Sequence, residues 1–593
     1  MLIDHWIIFG TLLLTLVLFI TGRWRYDMVA LMALLILTLT GLIPPERTFS
    51  GFSNPAVITV AAVLVVSRGL QNSGVVDLIG QQLGRLKGGI TVQLAALTSL
   101  VMVLSAFMNN VGALALLLPV TIQLSRKKNL SPSIFLMPIA FASLLGGMTT
   151  LIGTPPNIIV ATFREQANTA PFRMFDFTPV GLGVAVAGLL FVALVGWRLI
   201  PDRSSESTSD GMFDIEKYIT EVRIPEECKQ AGKRLSEFKE LSEAQAILIG
   251  LVRGKERRMA PGAQTKLQVG DILTLRIDSD NLEGLINSTG LELVGSEQLA
   301  LADLESDEIA LAEAVVMPNS MMIGGSAFSL NLRSSFGVNL LAISRQGARL
   351  RSRLDRITFQ MGDVLLLQGP QSNLKEIMAN LGTLPLAGRG LRLGQPRRIA
   401  LSVGIFAAAL GVAAVGLIPV QVAFVTALVI MLAAKLLSLR EAYESVDWPI
   451  IILLGAMIPV GEALETTGGA QLIANGLLQL SSQMPPVATL AVVLIGTMFL
   501  SDVVNNAAAV VLMAPIGISV ATGLNANVDP FLMAVAIGAS CAFLTPIGHQ
   551  SNTLVMGPGG YKFGDYWRMG LPLEVIVVVV SIPLILMVWP LGV

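Results

Sequence analysis

Two short stretches carry polar side chains where the chain around them is built for lipid. "SAFMNNVGALALLLPV" at 105 to 120 contains Ser105 and the doublet Asn109-Asn110, and "SDVVNNAAAVVLMAPI" at 501 to 516 contains Ser501 and the doublet Asn505-Asn506, 396 residues further on. A second pair follows each: "TLIGTPPNIIV" at 150 to 160 and "TPIGHQSNTLV" at 545 to 555, 395 residues apart. Carboxamides both donate and accept, so they satisfy backbone left unpaired where a helix turns or breaks at membrane depth. Freed carbonyl and carboxamide oxygens suit a small hard cation such as Na⁺, and helix N-termini directed at the same place suit an anion. One site can hold both charges. The alternative for these asparagines is a stitching role at the turns alone.

The elements that must position these residues are membrane helices. The chain has 593 residues, 53% hydrophobic and 14% charged, and its mean hydropathy of +0.71 lies outside the soluble range. Its apolar runs are too long for barrel strands, so the expected class is a polytopic α-helical membrane protein. A net charge of −1 gives no footing for a nucleic-acid partner, and Cys228 and Cys541 form no disulfide or metal framework. Residues 5 to 20 lack a basic n-region and a cleavage site, so they are predicted to be a first span. Further spans are predicted at 26 to 43, 55 to 70 and 177 to 199. The run from 90 to 124 is flanked by Arg85 and Lys87 and by Arg126, Lys127 and Lys128, so both ends face the cytoplasm and the segment is a re-entrant hairpin with Asn109-Asn110 near its tip. From 133 to 162 a helix is interrupted at Gly146-Gly147 and Gly153-Thr154-Pro155-Pro156.

The same order returns after Arg398, with spans at 399 to 418, 420 to 437 and 447 to 463 and a second hairpin at 486 to 522. No lysine or arginine occurs from 441 to 561, so this hairpin is expected to enter from the opposite side. Five crossings per half force the halves into opposite orientations. The predicted architecture is two inverted repeats, each of about five spans plus one re-entrant hairpin, at 1–200 and 399–593. Such repeats place a binding site where they meet at the midplane. Between them lies charged, soluble-type sequence in which "LQVGDILTLRI" at 267 to 277 is repeated as "FQMGDVLLLQG" at 359 to 369. Two small cytoplasmic α+β domains are expected there, at 201–300 and 301–398.

The duplicated Gly-Asp pattern resembles the TrkA-C (RCK C-terminal) modules of potassium-channel and transporter subunits. The membrane halves, above all "GGMTTLIGTPPNIIV" and "SCAFLTPIGHQSNTLV", resemble the divalent-anion/sodium symporter family over about two thirds of the chain. That resemblance implies one Na⁺ site at Ser105, Asn109, Asn110 and the Gly153 backbone. It implies another at Ser501, the Val504 backbone, Asn506 and Gly548, with substrate meeting Asn110, Thr154, Asn506 and His549. It further implies a homodimer in the inner (plasma) membrane and an elevator or rocking mechanism. Where the family has Ser-Asn-Thr, this chain has Asn109-Asn110-Val111 and Asn505-Asn506-Ala507, so the threonines that hold a substrate carboxylate are missing. His549, Gln550, Ser551 and Asn552 replace the second Thr-Pro-Pro-Asn, and such a ring of neutral donors favours a compact oxyanion, sulfate first.

The leading expectation is Na⁺-coupled symport of a small divalent oxyanion. A dicarboxylate or other organic anion, H⁺ coupling through His549 or Asp502, and a ligand-gated channel or regulatory subunit are the alternatives. Enzyme chemistry is not expected, since no metalloprotease, P-loop or nucleophile-elbow motif is present. His549 either donates to the anion or bridges unwound backbone. Asp502 either supports Na⁺ or caps a helix or dimer contact. Arg68 and Glu462 are expected at the membrane interface. The TrkA-C resemblance implies a nucleotide effector such as cyclic di-AMP, with passive assembly as the other role.

Overall fold

The computed structural model describes residues 2–592 except 22–23, 75–88, 129, 168–169, 202–218, 295–308, 387–395, 481–484 and isolated positions between 239 and 372. Among the described residues, seven helices are long and apolar enough to cross a membrane, and seven shorter apolar helices accompany them. The chain is a polytopic, mostly helical membrane protein.

The first half contains α1 (Leu2–Thr21), α2 (Tyr26–Leu39), α3 (Pro55–Asn72), α4 (Ile90–Phe107), α5 (Asn110–Lys127), α6 (Ser133–Gly147), α7 (Pro155–Gln166) and α8 (Thr178–Leu194). Among the described residues, the stretch between the membrane halves carries three short helices, α9 (Ser279–Thr289), α10 (Leu332–Phe336) and α11 (Leu374–Asn380). The second half contains α12 (Pro396–Val415), α13 (Val420–Ala433), α14 (Leu439–Ser445), α15 (Trp448–Thr466), α16 (Gly469–Leu480), α17 (Pro486–Val503), α18 (Asn506–Gly523), α19 (Val528–Ala539), α20 (Gln550–Gly559) and α21 (Tyr566–Val588). The two predicted hairpins are the helix pairs α4–α5 and α17–α18. The predicted break between 133 and 162 separates α6 from α7, and the same break separates α19 from α20.

Local chemistry sets these interruptions. Met108 and Val504 take the same extended conformation at the two hairpin tips, with φ and ψ of −130° and 163°, and −118° and 166°. Thr154 is extended because Pro155 clashes with a helical residue before it, and Pro155 itself suits the first helical position. His549 holds the same extended geometry, φ −143° and ψ 141°, with no proline after it. The helix α2 stops at Leu39, short of the predicted 43, where Gly41 enters the left-handed region and Pro44-Pro45 follow. The helices α14 and α16 were not anticipated from the sequence.

Packing repeats between the halves with the partners exchanged. The helix α2 packs on α15, and α13 packs on α3; α6 packs on α20, and α7 packs on α19; α8 and α21 pack on each other. The two broken helices run antiparallel. At one end Tyr561 receives the Met137 N–H at 2.8 Å and donates to the Ser133 carbonyl. Midway, Ser143 Oγ meets Ser551 Oγ at 3.4 Å, and at the far end Arg164 pairs with Asp529 at 2.7 Å.

Between the membrane halves lie two five-stranded antiparallel sheets. One has the order β3-β2-β4-β1-β5, with β1 (Ile219–Arg223), β2 (Ile247–Arg253), β3 (Glu256–Met259), β4 (Ile272–Arg276) and β5 (Glu292–Val294). The other has the order β10-β6-β9-β7-β8, with β6 (Ile309–Val316), β7 (Asn339–Arg345), β8 (Ala348–Arg349), β9 (Val364–Pro370) and β10 (Thr383–Pro385). Read from the opposite edge, the second order is the first. Each sheet has its own apolar core, around Leu251 and Leu275 in one module and Ile343 and Leu367 in the other. The duplicated motif carries each time a Gly-Asp turn that leads directly into the central strand, β4 or β9.

Candidate anion and cation site at the hairpin tips

The two asparagines of the first doublet do different work, and in the second Asn506 Oδ1 also accepts the Ala507 N–H, at 2.9 Å. Asn109 Oδ1 accepts the Val111 N–H at 3.1 Å and Asn505 Oδ1 accepts the Ala507 N–H at 2.9 Å, so the first asparagine caps the returning helix, as its short side chain favours. The second points into the fold: Asn110 and Asn506 are 2% and 6% exposed. Asn110 lies beside Ser105 Oγ at 2.6 Å, and Ser105 also donates to the Ser143 carbonyl at 2.7 Å. With its nitrogen turned that way, the Asn110 amide donates to Ser105 Oγ, to Ser143 O at 3.2 Å and to Gly153 O at 3.3 Å. Ser501 repeats the hairpin contact by donating to the Ala539 carbonyl at 2.6 Å.

Each break is tied to its own hairpin. Thr150 donates to the Ala106 carbonyl, and Thr545 donates to the Asp502 carbonyl at 2.6 Å. Glycines permit this approach: a side chain on Gly147 would strike Asn110, and one on Gly548 would come within 2.7 Å of Ser501 O. Asn157 Nδ2 binds the Thr150 carbonyl at 2.8 Å, and Asn552 Nδ2 binds Ala542 O at 2.7 Å and Thr545 O at 3.1 Å. Asn552 is thus a stitch across the unwound segment, and only its Oδ1, an acceptor, lacks a partner.

The donors that remain are unevenly shared. Prolines 155 and 156 have no N–H, so α7 offers few backbone donors at its N-terminus. Its contribution is the Thr154 hydroxyl, 1% exposed and without a hydrogen-bond partner. His549 Nδ1 accepts the Ser551 N–H at 3.0 Å, which fixes a neutral tautomer carrying its proton on Nε2. That Nε2 lies 3.5 Å from the Asn110 carboxamide, so His549 bridges backbone and also aims one donor into the space between the halves. Gln550 is half-buried and its side chain makes no hydrogen bond to the described residues. Ser551 is buried beside Ser143. The side-chain donors at the two breaks therefore lie mainly on the α20 side. Buried groups without partners are rare in folded proteins, and among the described residues the Thr154 hydroxyl is one of them at this break.

Sequence reasoning missed Glu574. This residue of α21 is 7% exposed, and its carboxyl group lies within hydrogen-bonding reach of the Asp502 carboxyl, itself 3% exposed. Asp502 Oδ1 accepts the Leu544 N–H at 3.0 Å, and Cys541 faces both acids. Two adjacent carboxylates in an apolar setting repel unless one of them carries a proton. The equivalent positions of the first half are Ala106 and Ala185. Arg164 was also missed: Nε and Nη2 reach both Asp529 oxygens at 2.7 Å, and its guanidinium stacks 4.4 Å from the Phe172 ring. Arg68 sits near the end of α3 with Nη1 3.4 Å from Gln71, and Glu462 accepts from Gln166 at 2.6 Å; neither enters the site.

A protein-family model described as a citrate transporter matches residues 16–538. An uncharacterized transporter of Synechocystis sp. is 30% identical over 98% of this chain and 96% of its own length. The uncharacterized transporter YfbS of Escherichia coli is 31% identical over 99% of both chains. The sodium/sulfate cotransporter 2 of Chlamydomonas reinhardtii is 27% identical over 55% of this chain and 38% of its own. With its multi-pass helices, its paired hairpins and this family match, the chain belongs to the citrate transporter family and is a membrane transporter, not an enzyme.

Proposed function

We propose that the chain is a secondary active symporter that couples Na⁺ to a small divalent oxyanion, sulfate first, by an elevator-type movement of the hairpins and broken helices. The observation that carries this is the meeting of Asn110 at the first hairpin tip with His549 at the second break, 3.5 Å apart. The antiparallel run of the two broken helices supports inverted repeats, and inverted repeats with broken helices suit alternating access. One Na⁺ would be held by Ser105, the Gly153 carbonyl and Asn110 with its Oδ1 turned toward Ser105, with Asn109 shaping the tip. The other would be held by Ser501, Asn506 and the backbone at Val504 and Gly548. Thr154, His549, Gln550 and Ser551 would face the anion. A relative that carries sodium/sulfate cotransport in its name supports the ion pairing.

The citrate description of the matching family favours a second reading, an organic polyanion in the same site. We place the protein in the plasma membrane as a homodimer, with the two sheet modules, read as TrkA-C-like and nucleotide-responsive, in the cytoplasm. Purified protein in liposomes with an imposed Na⁺ gradient tests the reading. Sulfate uptake that stops when the gradient is collapsed supports it. Uptake of citrate or succinate without sulfate gives the second reading, and uptake driven by a proton gradient alone overturns Na⁺ coupling.

A further inference from the structure

One turn occurs twice in the soluble modules, in two different surroundings. In the first module Gly270 has φ +87° and precedes Asp271, whose carboxylate takes Arg253 Nε at 2.8 Å, Arg253 Nη2 at 2.7 Å and the Gln268 N–H at 2.8 Å. In the second, Gly362 has φ +83° and precedes Asp363, which takes Arg345 Nε at 2.7 Å, Nη2 at 2.8 Å and the Gln360 N–H at 2.8 Å. Nothing lies within 4 Å of where a Cβ on Gly270 would sit, and Val269 beside it is 51% exposed. A Cβ on Gly362 would lie 2.7 Å from the Thr553 carbonyl oxygen and 3.7 Å from Thr553 Cγ2. Reciprocally, a Cβ on Gly557 would run into the Gly362 carbonyl oxygen and lie 3.2 Å from Val364 Cγ2. Strand β6 packs along the same helix, α20.

The helix so touched begins at His549, and Thr553 is one turn along it. We infer that the Gly362 turn is an intramolecular latch: the second soluble module grips α20 backbone to backbone through Gly362, Thr553 and Gly557 and restrains the movement of that half-helix. Glycine on both sides leaves no flexible side chain to absorb a displacement, so α20 cannot shift relative to the module without parting the contact and uncovering Val364. A ligand that binds the module better in one arrangement than the other would bias α20 by that difference in affinity. The contact stands by itself, and its consequence for uptake rests on the transporter reading above.

The first module supplies the internal control, because Ala at 270 and Ala at 362 carry the same left-handed strain and only Ala at 362 meets a neighbour. The test uses the full-length protein with Thr553→Cys and a maleimide probe, since the native Cys228 and Cys541 are both buried. Adding Gly362→Ala should speed labelling of that thiol by roughly tenfold, the scale of an overpacked contact, whereas adding Gly270→Ala should leave it unchanged. Equal labelling in all three overturns the latch, as does acceleration by Gly270→Ala. In liposomes, Gly557→Ala, which suits a helix and leaves the module's sequence intact, should raise the initial rate of sulfate or citrate uptake several-fold. Unchanged or slower uptake beside faster labelling overturns the restraint. A parent protein that takes up neither anion ends the symporter reading, and the labelling then decides the latch.

Discussion

Replacing the four tip asparagines one at a time separates folding from transport. Asn109→Ala and Asn505→Ala each remove a helix cap that accepts one N–H, at 3.1 and 2.9 Å. The loss of a cap costs about 1 kcal/mol, and in a domain of ~200 residues it lowers the melting temperature by roughly 2–4 °C. The side chain leaves no ligand position empty, so uptake should persist. Asn110→Ala takes away the carboxamide that faces Ser105, Gly153 and His549. A hydrogen bond or ligand contact to a charged group contributes about 1.5–3 kcal/mol, so half-saturation for Na⁺ or anion should rise by roughly 10- to 150-fold. Asn506→Ala should behave likewise. The assay is initial uptake into liposomes across a range of Na⁺ and sulfate concentrations, with thermal unfolding in detergent for each variant. Loss of uptake in Asn109→Ala at an unchanged melting temperature, or an unchanged half-saturation in Asn110→Ala, refutes this division of labour.

Further substitutions probe the frame around the site. Arg164→Met breaks a doubly hydrogen-bonded, largely buried pair with Asp529 that joins the halves, at 16% and 11% side-chain exposure. It should cost about 3 kcal/mol, and adding Asp529→Leu should restore most of the melting temperature. Glu574→Gln keeps a donor beside Asp502 and should fold normally, while Glu574→Leu strands that carboxyl and should lower the yield of detergent-stable protein. A side chain on Gly181 would strike the Met148 carbonyl, and one on Gly570 the Phe543 carbonyl, so valine at either position should destabilise by about 1–3 kcal/mol in thermal unfolding.

The hairpins were legible to within a few residues because two independent signals agreed: an apolar run too long for one crossing, and polar doublets at its centre. The first break was legible because Gly146-Gly147 weaken a helix end and Pro155-Pro156 bias Thr154 away from the helix and open the next one, and the second followed from its repeat. What stayed hidden depends on distance in space. Glu574 is a single acid in an apolar run, and its meaning comes from Asp502, 72 residues earlier. Arg164 reads as an ordinary terminal cation until Asp529 and Phe172 surround it. The helix α16 lacks charge at both ends and looks like a loop in the gap without basic residues, yet it packs against α18. The equivalent first-half positions, 75 to 86, lie outside the described residues.

The near-identity of the two backbones sharpens the question of where they part. Both tips, both caps and both Thr-to-hairpin bonds are duplicated, which is what a two-fold pair of cation sites requires. The side chains facing those frames are not duplicated. The first half presents Pro155, Pro156, Ala106 and Ala185, none of which can donate a side-chain hydrogen bond, and the second presents Gln550, Ser551, Asp502 and Glu574 at the matching places. On the symport reading proposed above, a backbone doublet would supply two similar oxygen cages, whereas the anion would have to choose a side. On that reading the His549 Nε2 donor and the α20 N-terminus would make the second half that side, with Thr154 reaching across from the first. If that asymmetry sets selectivity, His549→Leu should weaken anion binding while leaving Na⁺ half-saturation nearly unchanged. Equal loss of both would mean that His549 holds the break together and does not meet the anion.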